Sequence, residues 1–170
     1  APPAAAARAD LGPPRVHVAV LVAGATSINR RSGQVPPLAG FTFSLAFTLT
    51  RDVDVALDVD NLVNDDARHG TILASAGLLH RLRPRLAVGA RVGLGTTSVN
   101  FTEPTFEDVT AATLRAEALV TYDVRPRWFF AVRPLSFDLL SSDELGGPIL
   151  TWQVRAGVGY RFGPRYPVGP

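Results

Sequence analysis

Apolar residues occupy every second position along most of the chain. Between Leu86 and Leu94 the apolar side chains share one face, while Ala87, Gly89 and Arg91 fall on the other. A period of two is typical of a β-strand, and no segment shows a sustained helical period. The pattern therefore predicts an all-β chain. Its eight predicted strands span residues 15–28, 40–50, 53–62, 71–82, 85–97, 112–124, 127–139 and 150–162.

The seventh predicted strand is irregular. Trp128, Phe130 and Val132 alternate with their neighbours, but after Pro134 the apolar phase moves to Leu135. Proline cannot donate a hydrogen bond to a β-ladder, so it is found at strand edges and bulges. The phase change therefore predicts a bulge in this strand.

The predicted connections alternate between long and short. This alternation is typical of an antiparallel up-and-down meander, with its long loops at one end (the loop end) and its short turns at the other (the turn end). With an even number of strands, both termini lie at the turn end. The short turns are Arg51-Asp52, Arg83-Pro84 and Arg125-Pro126, and the long loops cover residues 29–39, 63–70, 98–111 and 140–149.

The composition is unusual for a water-soluble domain. Apolar residues make up 46% of the chain and charged residues 19%, against about 25% charged in an ordinary soluble domain. This balance excludes a disordered polar chain. The longest nearly apolar run, Val18 to Ala25, is far shorter than the ~18 residues of a membrane-spanning helix. Strands of ~10 residues, tilted by ~40–45°, span about 25 Å and fit an outer membrane. We predict an eight-stranded antiparallel up-and-down transmembrane β-barrel over residues 15–162.

The alternation alone also fits a soluble, lipocalin-like barrel, which differs in the face that points outward. Here the less apolar face carries small residues such as Gly89, Gly93 and Gly157, which suit the narrow interior of eight strands. It also carries charges of both signs at low density, and a buried charge is costly unless it is paired. We expect these charges to pair with each other and fill the lumen; an open channel is the alternative. The predicted lumen charge network is Arg91, Arg115, Glu117, Arg133, Arg155, Asp54, Asp58 and Asp138, four arginines against four carboxylates.

Aromatic residues lie near the ends of the predicted strands. Tryptophan and tyrosine prefer the interface between lipid and water, so this placement predicts two aromatic girdles. The predicted girdle residues are Phe41, Tyr122, Trp128, Trp152, Tyr160 and Phe162.

The eight-strand meander resembles the OmpA/OmpX type of small outer-membrane barrel. The last strand, from Val158 to Phe162, is similar to the C-terminal insertion signal of that family, although here a Pro-rich tail, residues 163–170, follows it. The resemblance implies a location in a bacterial outer membrane, with long loops outside, both termini in the periplasm, and lipid and lipopolysaccharide as surroundings. Residues 1–14, rich in Ala and Pro, are predicted to be a flexible segment. Without a methionine, the chain is expected to come from a processed, exported precursor.

Candidate chemistry is sparse. The chain has no cysteine, and His17, His69 and His80 have no neighbour at metal-ligand spacing. Lipid A deacylases with small barrels use a His-x-Ser pair that is absent here. His69 is expected to be an ordinary solvated loop residue. We predict no catalytic residue, cofactor or metal, and keep a lipid A-modifying enzyme as an alternative.

The predicted loops are acidic and the predicted turns are basic. Since no run of basic residues occurs, the sequence does not predict nucleic-acid binding. The expected function is non-enzymatic: envelope structure, surface interaction or adhesion, or the membrane-embedded subunit of an envelope complex. Its partners would be lipopolysaccharide or an envelope protein. The predicted loop contacts are Asp65, Asp66, Phe101, Glu103, Phe106, Glu107 and Asp108.

Overall fold

Eight antiparallel strands close into a barrel in the computed structural model, which describes residues 15–28, 37–50, 52–103, 107–143 and 147–163. The order of strands in the sheet follows the order in the chain, and β1 pairs with β8 to complete the closure. The predicted fold class is thus confirmed. The two predicted tails lie outside the described residues, apart from Gly163. The strands are β1 Arg15–Ser27, β2 Leu38–Thr48, β3 Val53–Val63, β4 Ala67–Arg83, β5 Leu86–Phe101, β6 Val109–Asp123, β7 Trp128–Ser141 and β8 Ile149–Phe162.

Side chains alternate between the two faces of this closed sheet. In β5, Arg91 points inward and is 6% exposed, whereas Leu94 points outward and is 67% exposed. Over the middle of the barrel the outward face is an apolar surface and the inward face is mainly small and polar, as the sequence predicted. Closure gives every strand two hydrogen-bonded neighbours, which is what a sheet needs in order to lie in lipid. Among the described residues, no helix is long and apolar enough to cross a membrane.

The predicted bulge is present in β7. Pairing with β8 runs regularly to Arg133 and resumes at Ser136, so the register shifts across Pro134. In a regular strand, Arg133 and Asp138 would lie on opposite faces, because they are an odd number of residues apart. The bulge turns both side chains into the lumen, where they are 2% and 1% exposed.

Three strands run at least three residues further toward the loop end than predicted. β4 begins at Ala67, β5 continues to Phe101 and β6 begins at Val109. The predicted long loop over residues 63–70 is therefore wrong. It is a three-residue turn, in which the side-chain oxygen of Asn64 accepts hydrogen bonds from the backbone amides of Asp66 (2.9 Å) and Ala67 (2.7 Å).

These extensions reverse the polarity of the two faces. Outward residues near the loop end, such as Thr96, Ser98 and Asn100, are exposed and polar. Inward residues at the same level, such as Val99 and Ala111, are buried and apolar. The reversal is expected where a wall leaves lipid and enters water, because the outer surface then needs polar groups. The reversal marks where the lipid-facing surface of β4–β6 ends on the side of the loop end.

We predict that an arginine in the lipid-facing band destabilises the barrel, whereas one above the band does not. Leu94 lies in the middle of β5, opposite Ala74 and Leu114. Leu94→Arg should lower the free energy of unfolding in lipid vesicles by about 2–4 kcal/mol, and Asn100→Arg by about 0–1 kcal/mol. Denaturant titration followed by tryptophan fluorescence measures both. Equal losses at the two positions would contradict the assigned boundary.

Candidate functional site

The lumen holds a network of charged side chains that connects opposite walls of the barrel. All eight residues of the predicted network point inward and are buried. Carboxylates from β3 meet arginines from β5, β6, β7 and β8, so most ion pairs cross the lumen rather than follow one strand. The contacts fall into three groups, which follow one another from the loop end to the turn end.

The group nearest the loop end centres on Arg115. Its Nε and Nη2 atoms each donate to the Asp138 carboxylate at 2.6 Å, and Nη2 also donates to Asp60 Oδ2 at 2.5 Å. Two parallel hydrogen bonds to one carboxylate are the geometry that best suits a guanidinium group. Asp60 also accepts from Arg155 at 3.1 Å, and Gln153 donates to Asp138 at 2.7 Å. This group therefore joins β3, β6, β7 and β8.

The middle group centres on Arg133. Its Nη1 atom donates to Asp58 at 2.7 Å, and its Nη2 atom donates to the hydroxyl of Ser44 at 2.8 Å. Glu117 links this group to the one above, since it lies 3.3 Å from Arg133 and 3.2 Å from Arg155.

The group nearest the turn end is a pair between Arg91 and Asp54, with two hydrogen bonds from the guanidinium to the carboxylate. On the turn-end side of this pair, the ring of Phe129 lies across Gly159. A Cβ atom at that glycine would overlap the ring, so only glycine leaves room for the aromatic plug. A void of about 30 Å³ beside Arg91, Asp54 and His17 holds about two water molecules. It is much smaller than a continuous aqueous channel.

The sequence-based balance of four arginines and four carboxylates is wrong because it omitted Asp60. Asp60 is 2% exposed and pairs with both Arg115 and Arg155. The described network contains four arginines and five carboxylates, Asp54, Asp58, Asp60, Glu117 and Asp138. Its formal charge is therefore −1 when all of these groups are ionised. The alternation along β3 placed Asp60 on the inward face and was the signal that could have identified it.

Both mouths of the lumen are occupied by side chains. At the turn end, Asp123 pairs with Arg161 at 2.5 Å and with Arg81 at 3.3 Å, and the Arg161 guanidinium lies 4.5 Å from the centre of the Phe129 ring. At the loop end, buried apolar side chains close the mouth. These side chains are Ala23, Ala25, Leu38, Leu62 and Leu140.

The predicted girdle residues lie on the outer surface at the two ends of the barrel. Tyr160 packs edge to face against Trp128 at 5.1 Å and against Phe162 at 4.9 Å between ring centres. These three residues and Tyr122 lie at the turn end. Phe41 and Trp152 are exposed in the half of the barrel nearer the loop end.

The predicted loop contacts have different surroundings. Asp65 and Asp66 are exposed in the tight β3–β4 turn, and Glu103, Glu107 and Asp108 are exposed between β5 and β6. Phe101 is the last residue of β5 and is half-buried, so its assignment to a loop is wrong. Phe106 lies outside the described residues.

His69 is not the solvated loop residue that the sequence predicted. It lies in β4 opposite Leu62 and Val99, is half-buried, and lines a small void at the loop-end mouth. The sequence placed the start of this strand too late because the outer face of the strand is already polar at this level. His17 lines the lumen at the other end, 3.3 Å from the Thr48 hydroxyl. Among the described residues, no three His, Asp or Glu side chains are arranged to hold a metal ion.

A closed sheet with an apolar exterior and a polar, filled interior defines the class of small eight-stranded outer-membrane barrels. The comparisons with known proteins support this class through structure and not through sequence. No family model matches the chain, and no curated protein matches it significantly.

Several solved structures share the fold. Ail, the attachment invasion locus protein of Yersinia pestis, in complex with the heparin analogue sucrose octasulfate, is 14% identical. The match covers 88% of this chain and 99% of that chain, with a TM-score of 0.63. Neisserial surface protein A is 19% identical, covers 88% and 97%, and has a TM-score of 0.58. A major outer membrane protein from Thermus thermophilus is 14% identical, covers 88% and 100%, and has a TM-score of 0.59. The similarity confirms the predicted resemblance at the level of the fold.

We predict that removing one member of the network is far more costly than removing an exposed charge. Arg115→Met leaves Asp60 and Asp138 without their shared guanidinium, which should cost about 3–5 kcal/mol of unfolding free energy. The control Arg68→Met removes an exposed guanidinium that bonds to Asn61, and should cost less than about 1 kcal/mol. Denaturant titration in vesicles measures both. A small loss for Arg115→Met would show that the lumen is hydrated.

Proposed function

We propose that this chain is a non-enzymatic integral barrel of a bacterial outer membrane that contacts a partner at the cell surface through its acidic loop end. The barrel itself serves as a rigid anchor. The observation that carries this proposal is the filled lumen, in which charged side chains are engaged with one another from β3 across to β8. A lumen of this kind supports a structural role and offers little space for a solute or a substrate.

The loop end is the part of the barrel that has groups available for a partner. Its described charged residues are mostly carboxylates, and the exposed Arg68 at the start of β4 is a basic neighbour of those in the β3–β4 turn. A surface with an excess of one charge attracts a partner of the opposite charge. The partner would be a basic protein surface, or lipopolysaccharide bridged by divalent cations. The exposed carboxylates are Asp65, Asp66, Glu103, Glu107, Asp108 and Asp143.

In this proposal the loop end lies outside the cell and the turn end lies in the periplasm. The family resemblance implies this orientation. The compact turns at one end and the raised walls of β4, β5 and β6 at the other support it.

The filled lumen predicts a barrel that conducts almost no ions. Purified protein inserted in a planar bilayer should give no steady single-channel current. The double variant Asp58→Ala/Arg133→Ala, which removes a whole ion pair from the middle of the lumen, should give measurable openings. Leu94→Ala, on the outer surface, serves as the control and should stay silent. A steady current from the unaltered protein would overturn the anchor role in favour of a channel.

The orientation predicts which end of the barrel is labelled on intact cells. The chain has no cysteine, so single cysteines can be introduced at exposed sites without interference. Asp65→Cys should react with a membrane-impermeant maleimide on whole cells. Val124→Cys, exposed in the β6–β7 turn, should react only after the outer membrane is permeabilised. The reverse pattern would place the turn end outside.

Mass spectrometry of lipid A from the same cells should show unchanged acyl chains, and a change would indicate an enzyme.

A further inference from the structure

The turn end carries the same tripeptide at two neighbouring turns. Arg83-Pro84-Arg85 begins at the last residue of β4 and leads into β5, and Arg125-Pro126-Arg127 lies in the turn between β6 and β7. Because β5 and β6 are paired, the two turns lie side by side, and the backbone amide of Asp123 donates to the carbonyl of Arg85 at 2.8 Å. We call the four arginine side chains of these tripeptides the arginine rim. They are Arg83, Arg85, Arg125 and Arg127.

The arginine rim is not paired with any carboxylate in the part of the chain that the structure describes. All four residues are exposed, and no ion pair joins any of them to a described carboxylate. The nearby Asp123 is already held by Arg161 and Arg81. Four neighbouring cations repel one another, so they favour anions from the surroundings.

The position of the rim relative to lipid follows from the aromatic residues beside it. Arg127 Nη1 donates to the Tyr160 hydroxyl at 3.0 Å, and Tyr160 packs against Trp128 and Phe162. Aromatic side chains of this kind lie at the level of the lipid headgroups. The guanidinium groups just beyond them therefore lie at the level of the lipid phosphates.

Each turn also has an apolar residue next to its first arginine. Leu82 precedes Arg83 and is 56% exposed, and Val124 precedes Arg125 and is 42% exposed. An apolar side chain beside an arginine suits the boundary between acyl chains and headgroups, where one group meets hydrocarbon and the other meets phosphate. A soluble polyanion would gain nothing from these two exposed side chains.

We propose that the arginine rim binds the phosphate groups of anionic phospholipids in the leaflet around the turn end. The planar guanidinium group pairs with phosphate through two parallel hydrogen bonds. The ring of Pro84 or Pro126 restricts the backbone between the flanking arginines, which reduces the entropy lost on binding. The inference rests on the proposed membrane insertion and orientation, which make this leaflet the periplasmic one.

The chain provides its own pair of reporters for a test. Its two tryptophans are Trp128, beside the arginine rim, and Trp152, in the half of the barrel nearer the loop end. Trp152→Phe leaves Trp128 to report on lipids at the turn end, and Trp128→Phe leaves Trp152 to report on the other end. Each variant is reconstituted in phosphatidylcholine vesicles that contain brominated phosphatidylglycerol or brominated phosphatidylcholine, and the quenching of fluorescence is compared.

Brominated phosphatidylglycerol should quench Trp128 more strongly than brominated phosphatidylcholine does. One arginine near the surface concentrates an anionic lipid about fivefold, so the preference should reach at least that value at low salt. It should decrease as salt is added. Trp152 should show no comparable preference. Equal quenching of Trp128 by the two lipids would overturn the proposal.

The variant Arg83→Gln/Arg85→Gln/Arg125→Gln keeps the bond between Arg127 and Tyr160 and should lower the preference at Trp128 several-fold. Arg68→Gln removes an exposed guanidinium at the loop end and should leave the preference intact. If the triple variant does not fold, the single variants Arg85→Gln and Arg125→Gln replace it, and each should lower the preference several-fold. A preference that the triple variant leaves unchanged would also overturn the proposal.

Two further measurements separate this inference from the proposed function. A heat-modifiable gel shift shows whether each reconstituted protein is a folded barrel, and failure of the unaltered chain in this assay would overturn both proposals. A folded barrel without lipid preference would overturn the arginine rim alone. Unlabelled lipid A, added as a competitor, should displace brominated phosphatidylglycerol from Trp128 no better than unlabelled phosphatidylglycerol does. Stronger displacement would identify lipopolysaccharide phosphate as the ligand and contradict the choice of leaflet.

Discussion

Closure of eight strands sets the constraint on which the rest of this structure depends. Closure pairs both edges of every strand and makes the sheet compatible with lipid, but it leaves a lumen only as wide as the side chains that fill it. Water cannot fully solvate a charge there, so each inward charge has to meet an opposite one across the lumen. Asp60 shows the result, since from β3 it reaches Arg115 on β6 and Arg155 on β8. The ion pairs that cross the lumen thus also connect strands that are not neighbours in the sheet.

Much of this arrangement could be predicted from the sequence because a period of two determines both the strands and their inward faces. Pro134 and the change of phase after it were sufficient to predict the bulge in β7. The partners within the network could not be predicted, because they depend on the stagger between strands that are far apart in the chain. Asp138 meets Arg115 only because the bulge turns it inward. Local pattern therefore identifies the members of the network but not their pairing.

The strand ends at the loop end were predicted less well, for a different physical reason. The prediction assumed that an apolar outward face continues to the end of a strand. In β5 the outward face becomes polar at Thr96 while the strand continues to Phe101. Alternation persists there with its sign reversed, because water replaces lipid as the outer solvent. The same reversal explains why the sequence placed His69 in a loop, although it lies in β4. Alternation in which either face may be the apolar one is therefore the sequence signal for these longer strands.

The sealed lumen separates the chemistry of the barrel from that of its two ends. Charges in the middle are engaged with one another, so a ligand could recruit them only by breaking ion pairs inside a narrow space. Exposed residues at the two ends of the barrel can bind a ligand without breaking these ion pairs. Asp65 and Arg125 are exposed at opposite ends, and each can be replaced without touching the lumen network. The two ends also differ in sign, acidic at the loops and basic at the turns, so they suit different surroundings. In the proposed function the body of the barrel provides stability, and the residues at its two ends provide specificity.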